Sequence, residues 1–263
     1  MHRHLLIVLL LLTVMMATAA QEEDDPIINA GDVPLPTTTP EAVPTESHTA
    51  DALPGNGALL IEIEATDGLT LGGEFFPAYG GDGRAIVLLH ELYTTQVSWY
   101  PLIEPLRGAG FHVLAVDLRG AGGLTRGAIN WQQAEDDTLT WLTWLAAQDG
   151  VRPEAMFIMG SSMGSNLAIN GCAAFATCAG AVAVSPGRNY FGVYTADALA
   201  LGKPTLIIYA ECDYYPRRDV PELREIAGFN GEVWVLAGNA HGMDLFTVEG
   251  ALLADIIGWV VGR

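Results

Sequence analysis

A serine held between two glycines is the first group in this chain able to do covalent chemistry. Gly160-Ser161-Ser162-Met163-Gly164 has the form G-x-S-x-G. That pattern has chemical meaning only between a strand and a helix, where a sharp turn pushes the central hydroxyl out at the top of a sheet. The apolar run Ala155–Met159 supplies the strand and Met163–Ala174 the helix. A Cβ at Gly160 or Gly164 would clash with so tight a turn. Ser162 would then sit beside a helix N-terminus, which favours developing negative charge. The plainer alternative is that Ser162 only caps the helix. Ser161 falls at the flanking position of the motif.

A serine hydroxyl needs a general base within hydrogen-bond reach. Six histidines are present: His2, His4, His48, His90, His112 and His241. The first three lie in the N-terminal segments. His112 opens a strand at the end away from the active face, and His90 is placed to shape a turn. His241, in Gly238-Asn239-Ala240-His241-Gly242, is the one histidine after Ser162. The acid that orients it should follow an intervening strand. Asp213, in Ala210-Glu211-Cys212-Asp213, is favoured over Glu211 because it lies further out on its loop. An oxyanion needs two backbone N–H donors. Met163, after the nucleophile, is one. Leu92, on the loop His90-Glu91-Leu92-Tyr93, is the other, with Glu91 as the near alternative.

These groups require a sheet whose strand ends converge. Leu59–Ile63 and Leu69–Phe76 read as an opening strand pair turning at Asp67-Gly68. The runs Ala85–Leu89, Val113–Val116, Ala155–Met159, Ala181–Val184, Thr205–Tyr209 and Val233–Leu236 are short and apolar on both faces, as in a buried parallel sheet. Helices are expected over Trp99–Gly108, Trp131–Ala147, Met163–Ala174, Val220–Ala227 and Thr247–Val261. Such alternation predicts an α/β fold, a mostly parallel, doubly wound sheet with helices on both faces. Function then gathers at the carboxyl ends of the strands.

On these residues the chain resembles the α/β-hydrolases, in the chain order serine, acid, histidine. The resemblance covers residues 58–263. It rests on Leu88-Leu89-His90, Asp117-Leu118-Arg119-Gly120-Ala121-Gly122, the turn around Ser162, and the pair Asp213 and His241. One departure is His90-Glu91 where the family usually has His-Gly; a side chain fits there only if the backbone needs no positive φ. The resemblance implies acyl transfer to water through an acyl-enzyme, with no metal and no organic cofactor. Relatives with an aspartate nucleophile, which cleave carbon–halogen bonds or epoxides, are disfavoured; dienelactone hydrolases share the compact build but usually use cysteine. A lid often follows the sixth strand of this fold. Here about 18 residues separate Val184 from Lys203, so a minimal lid and an open site are expected. Tyr93, Tyr100, Tyr190, Phe191, Tyr194, Tyr214, Tyr215, Met243, Leu245 and Phe246 follow strands and could form an apolar, aromatic rim. A small-molecule ester is the expected substrate. A peptidase or amidase of the same fold shares every motif, and a non-catalytic binding module would be expected to lack a triad member.

The rest of the chain sets the context. Its 263 residues carry 31 acids against 12 Lys plus Arg, a net charge of −19. That excludes a nucleic-acid partner, which would need clustered cations. Residues 1–20 hold Arg3, an apolar run from Leu5 to Met16 and the small residues Ala17-Thr18-Ala19-Ala20, the layout of a secretory signal peptide. Counted on to Ala20 the run is about 16 residues, short of the ~20 needed to span a bilayer. Export is therefore expected, to the periplasm, cell surface or medium, with no stable membrane insertion after cleavage; an uncleaved anchor is the lesser alternative. Residues 21–57 hold eight acids, no Lys or Arg, and scattered prolines, and read as a disordered tether. Cys172 and Cys178 could pair in an exported protein, but only if the helix ends between them, because six residues of continuous helix span about 9 Å.

Overall fold

The computed structural model describes residues 57–121 and 123–263. The expected signal, and the tether apart from its last residue, lie outside the described residues. Eight strands form one sheet: β1 (Leu59–Glu64), β2 (Thr70–Phe76), β3 (Ala85–Leu89), β4 (His112–Val116), β5 (Met156–Ser161), β6 (Cys178–Val184), β9 (Thr205–Ala210) and β10 (Gly231–Leu236). Their spatial order is β1-β2-β4-β3-β5-β6-β9-β10. β1 and β2 pair antiparallel, as do β2 and β4, and the other neighbours are parallel. Asp67-Gly68 makes the first turn, with Gly68 at φ 82°. Two two-residue strands, β7 (Asn189–Tyr190) and β8 (Val193–Tyr194), make a separate hairpin.

Helices cover both faces of the sheet: α1 (Tyr100–Gly108), α2 (Trp131–Ala146), α3 (Met163–Ala174), α4 (Ala196–Ala200), α5 (Tyr214–Ala227), α6 (Asp244–Val248) and α7 (Leu252–Val261). β3 shows why its sequence is apolar throughout. Ala85, Val87 and Leu89 face the cluster that holds Leu142 and Leu145 of α2 and Leu167 of α3. Ile86 and Leu88 face the opposite cluster, with Leu102 and Leu106 of α1 and Ile256 of α7. A strand alternates its side chains between faces, so one buried on both must be apolar at every position.

Two expected helices differ. The one read from Val220 begins at Tyr214. Pro216 disguises its start, yet a proline in the first turn loses no intrahelical bond. The one read over Thr247–Val261 is two, broken at Glu249-Gly250-Ala251. Between β6 and β9 the chain forms only the small hairpin and the five-residue α4, which is the minimal lid expected. Among the described residues, no helix is long and apolar enough to cross a membrane. α3 ends at Ala174 and β6 begins at Cys178, and Cys172 and Cys178 form a disulfide with their Cα atoms 5.3 Å apart.

Candidate active site

Parallel pairing puts the carboxyl ends of five strands side by side. Leu89 is level with Gly160, Ser161 with Val184, Val184 with Ile208, and Ala210 with Leu236. The segments after these strands therefore open on one edge of the sheet. Three of the four non-glycine residues with positive φ among those described stand there: Tyr93 at 62°, Ser162 at 50° and Ser185 at 54°. Strain of this kind persists only where surrounding contacts enforce it.

Ser162 follows β5 and precedes α3, in the sharp turn its motif requires. Its N–H donates to the Val184 carbonyl at 2.8 Å. A Cβ on Gly160 would collide with the Gly164 carbonyl, and one on Gly164 would meet the Leu89 and His90 carbonyls. Ser162 is the N-cap residue of α3, but its side chain makes no cap hydrogen bond. Its Oγ lies 2.8 Å from His241 Nε2 instead. Simple capping is therefore not its geometry.

His241 arrives on the loop after β10. Its Nδ1 lies 3.0 and 2.8 Å from the two carboxylate oxygens of Asp213. Nδ1 must carry the proton to donate there, which leaves Nε2 as an acceptor for the serine. Asp213 is buried, whereas 39% of the His241 side chain is exposed. Asp213 is the N-cap residue of α5 and, like Ser162, gives its side chain to the site rather than to the helix. Glu211, the competing acid, is exposed and makes only a 3.4 Å contact with the Gly238 N–H. Burial pushes the His241 imidazole towards lower pKa. The hydrogen bond and charge of Asp213, with the charges of Glu91 and Asp244, outweigh it, and the pKa is raised.

Met163 opens α3, so its N–H belongs to the first turn, where amides have no intrahelical acceptor. Leu92 lies on the turn after β3 with its side chain packed against the core. Glu91 has no positive φ; Tyr93 takes that conformation, two residues on, which is how the turn accepts a side chain at 91. His90 shapes the turn, as expected. Its Nε2 accepts from the Leu118 N–H at 2.9 Å and its Nδ1 lies 2.8 Å from the Glu91 carbonyl. Burial lowers its pKa. His112 stacks on Phe75 at the far end of β4.

Sequence reading missed two side chains. Ser185 is fully buried, and its Oγ donates to Asp213 Oδ2 at 2.8 Å and accepts from the Gly242 N–H at 2.9 Å. Glu91 accepts from Ser161 Oγ at 2.8 Å and from the Met243 N–H at 3.1 Å. A serine directly after a sheet strand and a carboxylate in place of the usual glycine were the available signals. The aromatic rim is narrower than expected. Leu245 is fully buried, Tyr190 is buried and donates to the Ser185 carbonyl, and Tyr100, though exposed, is tied by its hydroxyl to Glu74. Tyr93, Phe191, Tyr194, Tyr214 and Tyr215 are exposed. No cluster of three or more metal-ligating side chains occurs among the described residues.

Sheet order, sharp serine turn and converging loops are the plan of one large group of hydrolytic enzymes. Residues 86–261 match the sequence profile of the alpha/beta hydrolase family, and the chain belongs to that family. An uncharacterized protein of Mycobacterium tuberculosis is 29% identical over 216 residues, which cover 82% of this chain and 72% of that one. Among solved structures, the Pyrococcus furiosus esterase Pf2001 superposes with a TM-score of 0.67 at 20% identity, covering 83% of this chain and 98% of its own. Thermogutta terrifontis esterase 2 gives 0.65 at 19% identity, covering 80% and 96%. At these identities the two likenesses speak to the fold.

Proposed function

We propose that the protein is an exported serine hydrolase that cleaves carboxylic esters of small to medium, uncharged substrates. The observation that carries this reading is the unbroken hydrogen-bond chain from Asp213 through His241 to Ser162. Ser162 Oγ attacks the ester carbonyl as His241 Nε2 takes its proton. Asp213 keeps the other ring nitrogen protonated and balances the imidazolium. The tetrahedral oxyanion accepts from the N–H groups of Met163 and Leu92. His241 returns its proton to the leaving alcohol, and a water then repeats the sequence on the acyl-enzyme. The short segment between β6 and β9, with exposed Phe191 and Tyr194 on its hairpin, supports an open site for modest acyl groups. Export is supported by the signal-like residues 1–20 and by the Cys172–Cys178 disulfide, a bond of oxidising compartments.

The test uses a fluorophosphonate probe, which traps an activated serine; Thermogutta terrifontis esterase 2 has been seen phosphoramylated by tabun. Wild type should label and turn over neutral p-nitrophenyl esters, and Ser162→Ala should do neither. An unlabelled wild type overturns the enzymatic reading. Activity confined to amides or cationic peptides overturns the ester assignment.

A further inference from the structure

We propose that Glu91 is a positioning residue whose one carboxylate oxygen clamps the His241 loop to the strand that carries the nucleophile. The inference rests on the reading of His241 as general base. Glu91 Oε2 receives the Ser161 hydroxyl, from the last residue of β5, at 2.8 Å. The same oxygen receives the Met243 N–H, two residues beyond His241, at 3.1 Å. One atom thus joins the elbow, the oxyanion turn and the histidine loop.

The loop is shaped to admit that oxygen. Gly242 has φ 57°, and a Cβ there would overlap Glu91 Oε2 and come within 2.7 Å of Ser161 Oγ. The carboxylate fills the space a side chain would need. The backbone carbonyl of Glu91 is engaged as well, accepting from Thr94 Oγ1 at 2.9 Å and facing His90 Nδ1. The residue is therefore held at both ends, and the Leu92 N–H follows it directly in the chain.

Its charge has a second effect. The acids facing His241 are Asp213 before α5, Asp244 opening α6, and Glu91 after β3, and all three favour the imidazolium. Glu91 thus opposes the burial that would otherwise make His241 less basic. A glycine at position 91 would supply neither the clamp nor the charge.

Two substitutions separate these effects. Glu91→Gln keeps the shape and can accept both hydrogen bonds through its amide oxygen, but carries no charge. The acid limb of its kcat/KM profile on p-nitrophenyl butyrate should move down by about half a pH unit, as expected for one nearby charge in a high-dielectric setting. Glu91→Ala also removes the clamp, so its limb should move down likewise and its kcat on the plateau above that limb should fall on the order of tenfold. The pH dependence of fluorophosphonate labelling should show the same displacement without requiring turnover. A Glu91→Gln limb coinciding with wild type, or Glu91→Ala with undiminished kcat, overturns the inference. If Ser162→Ala hydrolyses the ester as wild type does, the assignment of the site fails instead.

Discussion

At the scale of single residues, the site is defined by side chains that decline their ordinary local partners. Ser162 and Asp213 both stand at helix N-caps without capping, which forgoes about 1 kcal/mol at each. Their hydrogen bonds go to His241 and Ser185 instead. Asp213→Asn should leave the fold intact and lower kcat on the order of 10³-fold or more, because the amide no longer holds the productive tautomer. The raised pKa of His241 sets the direction of the pH response. As the proposed base His241 works only when neutral, so activity should rise with pH through a limb lying above the ordinary histidine value of about 6.5. Gly242→Ala should cost both activity and thermal stability, since its backbone sits at φ 57° and its Cβ would strike Glu91. A melting curve and an ester assay check both effects. Ser162 and His241, the proposed nucleophile and base, were legible because a motif and a process of elimination point to them, and their side chains meet at 2.8 Å. Loop position favours Asp213 over Glu211, and the geometry separates them, since Asp213 meets His241 Nδ1. Ser185 and Glu91 were hidden, since their bonds to the histidine loop cross 57 and 152 positions and leave no spacing pattern.

At the scale of elements, β3 and β5 were readable because burial on both faces demands unbroken apolar runs. The start of α5 was not, because Asp213-Tyr214-Tyr215-Pro216 resembles a turn until the proline is seen to fall in the first helical turn. α6 parts from α7 where Glu249, just before Gly250, leaves helical geometry at φ −118° and ψ 89°, in an otherwise continuous pattern. Ser162, the proposed nucleophile, stands at one end of α3 and the disulfide lies near the other. Closing so short a loop stabilises by roughly 2 kcal/mol. Cys172→Ser with Cys178→Ser should therefore lower Tm by about 4–8 °C, read by circular dichroism. The nucleophile end should be affected less, because Gly160, Gly164 and the Val184 carbonyl hold it directly.

At the scale of the whole molecule, the negative charge was apparent from composition, whereas where it acts depends on the fold. Residues 58–263 hold 23 acids against 11 Lys plus Arg. Such a body repels anionic esters over distances set by ionic strength. A neutral ester should have the higher kcat/KM of a matched neutral and anionic pair, and the ratio should shrink between about 20 mM and about 500 mM salt. Equal ratios at both concentrations would remove net charge from the account of selectivity.

The strand order places β10 at the margin of the sheet, paired on one side with β9. The serine comes from the middle of that sheet and the histidine from its border. Borders open more readily than centres, and they do so without melting the rest. A brief fraying of β10 would carry His241 away while Ser162 stayed in its strained turn. Mild urea should therefore extinguish catalysis before the far-UV signal changes, and dilution should restore it within the time of a local reclosure. The working life of the enzyme would then be governed by its last strand rather than by its core.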